Sequence, residues 1–296
     1  MPDGPELLVV GSVALDTRDG PFGKVKEELG GSAVYFALAA SLLMPVKLVA
    51  PVGRDGLEQV TRALEGRPID STGLAMLDAP TYRWTAHQEH GQTVDMGSAD
   101  SIYDRWEPAT PENFSGWAFV GSMRPDRQAQ AAKQLHFARL LATDAMLSYV
   151  QQQTPEAKDV LKRSSWFFCN EDEFAALGGQ DPEQFRRQWW LEGIVIKSGP
   201  RGLTAYTPDG SLHVPALPGH PAFDTTGAGD AVAGGMLARW LSTGAQRTGL
   251  QDALVCGVAC ASLTIESIGT RGIASATPAL LDKRMAEVWE CMKPES

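Results

Sequence analysis

The residues best suited to chemistry form one short run, Asp224-Thr225-Thr226-Gly227-Ala228-Gly229-Asp230, which leads into Ala231-Val232-Ala233-Gly234-Gly235. Small side chains leave backbone amides uncovered, and the first turn of a helix adds unpaired N–H groups and a dipole that favours an anion. The run therefore reads as a phosphate cradle. Asp230 would set a carboxylate beside the bound anion, placed to take a proton from an attacking hydroxyl during phosphoryl transfer. The plainer reading is a tight glycine turn in which Asp230 caps the helix, and local chemistry alone leaves both open. Two other nucleotide motifs are excluded. Counting from Gly227, the sixth place of G-x-G-x-x-G holds Val232 where a dinucleotide fold needs Gly or Ala, and no G-x-x-x-x-G-K-[ST] occurs.

A cradle of this kind needs a scaffold. Leu7-Leu8-Val9-Val10 reads as a buried strand ending at Gly11, with a loop running on through Asp16. Ser32 to Leu43 reads as a packed helix stopped near Pro45, and Val46 to Val52 as the next strand. Thr81 to His87 and Gln92 to Met96 flank the turn signal Glu89-His90-Gly91 and suggest a small β-rich lid. Trp117 to Gly121, Phe137 to Ala142, Trp166 to Cys169 and Ile194 to Ile196 are short apolar strands with helix-compatible stretches between them, and Ala228 to Leu241, Leu250 to Glu266 and Pro278 to Met292 read as helices. Strands alternating with helices predict a mainly parallel sheet, whose ligands lie outside the carboxyl ends of the strands. The loops after Val10, Cys169 and Ile196 are thus the expected places for a site.

Composition narrows the partners. The 296 residues, 43% hydrophobic and 21% charged, suit one main soluble domain with a small appendage. A net charge of −10 argues against broad binding to nucleic acid or to an anionic membrane, since both require a basic surface. The N-terminus lacks a basic region followed by a long apolar run, so the expectation is a cytoplasmic protein without a signal or membrane span. Cys169, Cys256, Cys260 and Cys291 make no C-x-x-C pair and are read as non-functional, with Cys256 and Cys260 in the core.

The segment from Asp224 to Gly235 closely resembles the C-terminal signature of the ribokinase-like (PfkB) family of carbohydrate and nucleoside kinases. Other landmarks of that family occur in order: Gly11-Ser12-Val13-Ala14-Leu15-Asp16, Gly30-Gly31, Gly53-Arg54-Asp55-Gly56, the N-x-x-E-like Asn170-Glu171-Asp172-Glu173, and a glycine loop from Lys197 to Gly202. The resemblance implies a single α/β domain over residues 1–296, with a mainly parallel central sheet flanked by helices and a β-lid from segments about 14–28 and 80–98. It implies ATP-dependent phosphorylation of a hydroxyl on a sugar-like or nucleoside-like molecule. Asp230 would be the base, with Gly227, Ala228 and Gly229 in the anion hole. Asp16, Gly30 and Gly31 would face the substrate, and Asn170, Lys197, Gly199 and Gly202 the nucleotide. Glu173 would hold Mg²⁺ through water, a mode suited to a cation that dehydrates reluctantly. Asp224 and Thr226 would help hold a monovalent cation, K⁺, with later contacts from Gly269 to Ser275. A homodimer through the lid is a further expectation. The alternative is a kinase-like regulatory or ligand-binding protein without turnover, against which the intact Asp230 and its cradle argue.

Two positions depart from the family pattern. Tyr35 and Ala14 stand where many members carry Asn, which removes amides able to bond sugar hydroxyls. If Tyr35 faces the acceptor, it favours a substrate with aromatic or apolar surface over bare ribose. Otherwise it packs in the core. Asp144, just past an apolar run, either reaches the edge of the site or caps the helix that follows.

Overall fold

The computed structural model describes residues 6–20, 23–89 and 92–293. Its strands are β1 (Leu7–Val10), β2 (Ala14–Gly20), β3 (Gly23–Gly30), β4 (Val46–Gly53), β5 (Ile69–Leu77), β6 (Arg83–Glu89), β7 (Gln92–Ala99), β8 (Trp117–Val120), β9 (Leu140–Asp144), β10 (Trp166–Asn170), β11 (Gly193–Lys197), β12 (Leu203–Thr207) and β13 (Gly210–Val214). Among the described residues a nine-stranded sheet runs in the order β13-β12-β11-β10-β9-β8-β1-β4-β5. From β5 to β11 the neighbours are parallel, and β12 and β13 extend the edge as an antiparallel hairpin. The central strands are buried along their length because helices cover both faces, which is why they read as unbroken apolar runs. The architecture is the expected α/β one, with a mainly parallel sheet flanked by helices.

On one face lies the largest core, built from the helices Ser32–Ala40, Ala228–Ser242, Leu250–Ile265 and Pro278–Cys291. The small residues after the cradle have a packing role here. A side chain on Gly234 would strike the Phe36 carbonyl, and a Cβ on Gly235 would come within 2.6 Å of Cys260 Sγ. Their absence draws three helices together and fixes the axis on which the cradle sits. Arg247–Ile265 is long and apolar enough by composition to cross a membrane, yet its window is 67% buried against these neighbours, and Cys256 and Cys260 are core residues.

A second sheet of four strands, β3-β2-β6-β7, stands over the carboxyl end of the first. It corrects the sequence reading at Asp16, which lies within β2 rather than in a loop. Alternating side chains carry Asp16 and Arg18 inward on the same strand, where both are 2% exposed. The β6–β7 hairpin forms in the expected place, with residues 90 and 91 of its turn outside the described residues. The strand expected from Phe137 begins only at Leu140 and extends to Asp144; Phe137 itself is exposed in the preceding turn.

Candidate active site

Three adjacent parallel strands end on polar residues: β9 on Asp144, β10 on Asn170 and β11 on Lys197, with Asn170 and Lys197 opposite each other in register. The apolar interior of each strand anchors it, and the last residue emerges at the sheet edge. A cleft of about 750 Å³ opens there, walled by the second sheet and by the start of the Ala228–Ser242 helix.

Gly227 caps that helix in the left-handed conformation, φ 76°, and a side chain on it would strike the ring of Tyr35. Ala228, Gly229 and Asp230 make the first turn; the Ala228 amide donates to the Thr225 carbonyl at 3.3 Å, and the Ala231 amide begins the helical pattern on Gly227 at 2.9 Å. Lys197 reaches the same turn, since a Cβ on Gly229 would come within 2.6 Å of its Nζ. Burial works against the charge of Lys197, but Glu173, Asp144 and Asp230 face it and hold its pKa above the usual value. Burial raises Asp230 to about 6, against the opposing pull of Lys197 and a hydrogen bond from Asp144. Asp144 is pushed far above the carboxylate range by burial and then by the charge of Asp230, so the two carboxyls disfavour being ionised together. Of the two readings of Asp144, the structure thus brings it into the site.

Glu173 closes a reciprocal cap with Asn170: the Asn170 side chain accepts the Glu173 amide and Glu173 Oε2 accepts the Asn170 amide, both at 2.8 Å. Among the described residues no three His, Cys, Asp or Glu side chains converge on a metal-binding point. Glu173 nevertheless lines the cleft beside Asp144 and Asp230, a donor set that fits Mg²⁺ met through its water shell.

Asp16 enters from β2. Burial raises its carboxyl to about 7; Arg18 offsets part of this, while Asp224, Asp230 and Glu28 add to it. Its Oδ1 has no hydrogen-bond partner and points to a group supplied from the cleft. Gly30 and Gly31 serve it sterically. A side chain on Gly30 would strike the Asp16 carboxylate, and one on Gly31 the Ser12 carbonyl.

Several expected residues lie elsewhere. Gly199 and Gly202 do not line the cleft; Gly202, at φ 92°, is demanded by the Val214 carbonyl of the β12–β13 hairpin. Asp224 lies behind the cradle, 2% exposed, and its carboxylate is already engaged by Arg18 and by the amides of Thr226 (3.1 Å) and Gly269 (2.9 Å). A guanidinium thus stands on the carboxylate expected to hold K⁺, and the residues present do not fit a free cation there. Tyr35 lines the cleft but is only 1% exposed, with its ring against Gly227, so it supports the turn and leaves little surface for an acceptor.

The aromatic wall of the cleft is one that sequence reasoning missed. Tyr82, Trp84 and Tyr149 line it, with Tyr82 on Ser98 at 3.0 Å and Tyr149 on Asp100 at 3.2 Å. The Trp84 indole N–H is buried without a partner. Scattered over the second sheet and the segments beside it, these residues share no spacing that a sequence would display.

A model of the family described as pfkB family carbohydrate kinase matches residues 9–277 of the chain. The chain is 29% identical over 249 residues to a cytidine kinase of Thermococcus kodakarensis, covering 79% of this chain and 87% of the relative. It is 28% identical over 266 residues to an ATP-dependent ribose-1-phosphate kinase of Halopiger xanaduensis, covering 86% and 87%. Among solved structures, a Burkholderia thailandensis nucleoside kinase in complex with inosine shares the fold at a TM-score of 0.79 and 18% identity, over 97% of this chain and all of that one.

Two outcomes follow from this geometry. A carboxyl whose pKa rises from 3.8 to about 7 on folding stabilises the fold when protonated, and that contribution is lost as pH climbs through about 7. The ligand-free protein should therefore melt at a higher temperature at about pH 5.5 than at about pH 8, and Asp16→Asn should flatten this dependence. An unchanged slope in the variant would remove Asp16 as its source. For Tyr35→Asn, loss of the ring beneath Gly227 should cost about 3–5 kcal/mol in chemical denaturation and lower turnover on all acceptors alike. A changed ranking of acceptors would restore Tyr35 to the acceptor wall.

Proposed function

Because the chain belongs to the pfkB family of carbohydrate kinases, we propose that it transfers the γ-phosphoryl group of ATP to a hydroxyl of a nucleoside. The observation that carries the nucleoside reading is the make-up of the cleft. Its acceptor half presents the rings of Tyr82, Trp84 and Tyr149 together with the carboxylates of Asp16, Asp95 and Asp100. Lys197 is the one basic side chain among the described lining residues, and it sits at the cradle, not at the acceptor end. A phosphorylated sugar would bring a dianion against three carboxylates with no guanidinium or ammonium to meet it. A neutral nucleoside, with an aromatic base and hydroxyl or amino donors, matches rings and carboxylates alike.

In this reading Asp16 accepts a hydrogen bond from the acceptor and orients it. Asp230 takes the proton of the attacking hydroxyl as its oxygen bonds to the γ-phosphorus, and the bond to the β–γ bridging oxygen breaks with its electron pair leaving on ADP. The first-turn amides and Lys197 receive the charge on the transferring group. Glu173 would hold Mg²⁺, which when bound neutralises phosphate charge in a cleft otherwise rich in carboxylates. Mutual repulsion disfavours two charges on Asp144 and Asp230 together, and in this reading Asp230 is the one that accepts the proton.

ATP consumption with cytidine, inosine, adenosine, ribose and ribose 1-phosphate tests the assignment. At least one nucleoside should exceed ribose 1-phosphate by roughly tenfold or more in kcat/KM; the reverse order would overturn the nucleoside reading. Asp230→Asn should lower kcat by ~10²–10⁴-fold while ATP still binds, and turnover near that of the wild type would exclude Asp230 as the base.

A further inference from the structure

The buried pair of Arg18 and Asp224 joins parts of the chain 206 positions apart. Asp224 lies three residues before Gly227, and its carboxylate ties together three segments. Oδ1 accepts the Thr226 amide at 3.1 Å within the turn itself. Oδ2 accepts the Gly269 amide at 2.9 Å from the loop after the Leu250–Ile265 helix, and also takes Nη1 of Arg18 from β2. Two backbone amides satisfy hydrogen bonding but supply no full positive charge, and a carboxylate at 2% exposure needs one. Arg18, itself 2% exposed, is the cation provided.

We infer that Arg18 is a positioning residue: its guanidinium holds Asp224, and through Asp224 the turn that forms the amide cradle, in the place of a bound monovalent cation. The inference rests on the kinase reading above.

Three observations support this role over that of an incidental core ion pair. The site of contact is the carboxylate that anchors the cradle, so displacement of Asp224 moves Thr226 and the turn with it. The Gly269 loop is pinned to the second sheet twice, by Asp224 through Arg18 and by Arg271 on Glu28 of β3 at 2.6 Å; Gly269, at φ 62°, leaves Glu28 the room it needs. Finally, Arg18 retains two unpartnered buried donors, Nε and Nη2. The same buried cluster holds the unpartnered hydroxyl of Tyr35 and Oδ1 of Asp16, one period-two step away on β2. A guanidinium is always charged and offers five fixed donors, so it meets a carboxylate directionally as a spherical ion cannot. A free ion would also leave β2 untied, whereas Arg18 makes the strand that carries Asp16 part of the cradle's support.

The test uses the whole protein as wild type, Arg18→Ala and Arg18→Lys, with K⁺, Na⁺, tetramethylammonium or low millimolar guanidinium at constant ionic strength. Melting temperature and nucleoside kinase turnover are read in parallel. Wild type should melt and turn over equally in K⁺, Na⁺ and tetramethylammonium. Arg18→Ala should lose roughly 10²-fold in kcat in tetramethylammonium and recover a substantial part of both kcat and melting temperature with guanidinium or K⁺. Arg18→Lys should fall between the two. Activation or stabilisation of the wild type by K⁺ would overturn the inference without any variant, as would a folded Arg18→Ala that keeps full turnover or that no cation rescues. If Arg18→Ala does not fold, the wild-type cation series and Arg18→Lys decide the matter. Should the wild type phosphorylate no nucleoside, the nucleoside reading fails, and the melting series still judges the cation role on its own.

Discussion

The ammonium of Lys197 is the charge on which the cleft depends. It ends β11, half-buried at the cleft, and three carboxylates from three other segments, Glu173, Asp144 and Asp230, turn toward it. Removing a lysine from water disfavours its charge, and a lone buried carboxylate fares no better; each is tolerable because of the other. The group carries more negative than positive charge, and burial raises the pKa of both Asp144 and Asp230, the charge of Asp230 adding to it at Asp144.

Sheet topology decides which residues can join this group. β9, β10 and β11 are adjacent and parallel, so their last residues come to one edge of the sheet, Asp144 opposite Phe168 and Asn170 opposite Lys197. The Ala228–Ser242 helix brings the fourth member across the top. Its position depends on Gly234 against Phe36 and Gly235 against Cys260, contacts that any side chain would push apart. Packing in the core and placement of Asp230 are therefore one constraint, and it explains why small residues continue well past the turn that an anion would require.

How much could be read from the sequence follows from how local each feature is. The Asp224–Asp230 turn was legible because its glycines and its helix lie side by side in the chain. Asn170 and Lys197 were legible because they follow apolar strands at the expected edge of the sheet, and Glu173 only through the N-x-x-E resemblance. Tyr35 was ambiguous because every residue of its helix, Ser32–Ala40, is buried, so the helix shows no polar face by which to orient it. Gly199 and Gly202 were assigned to the nucleotide on resemblance; Gly202 also packs against the Val214 carbonyl at the end of β13, in an edge hairpin that was not foreseen. Arg18 was missed altogether. An arginine on a strand with Thr17 and Asp19 beside it looks like solvent-facing charge, and only the fold brings Asp224 to it.

The cradle thus stands between two buried ionic groups of different kinds. On the cleft side, Lys197 lies against Gly229, where in the proposed reaction it would meet phosphate charge; behind it, Asp224 lies against Arg18. The first adjusts the protonation of side chains that touch the substrates, and the second fixes the backbone on which the amides are carried. Both cations are reached from opposite directions, one from the central sheet and one from the second sheet. An anion bound at Gly229 would therefore be held by a turn whose two sides belong to the two sheets. Asp16 sits on the same strand as Arg18 and on the same inward face, so a displacement of β2 large enough to change its contact with an acceptor would act on Asp224 as well. Acceptor contact and the geometry of the phosphate cradle are in this way carried by a single strand.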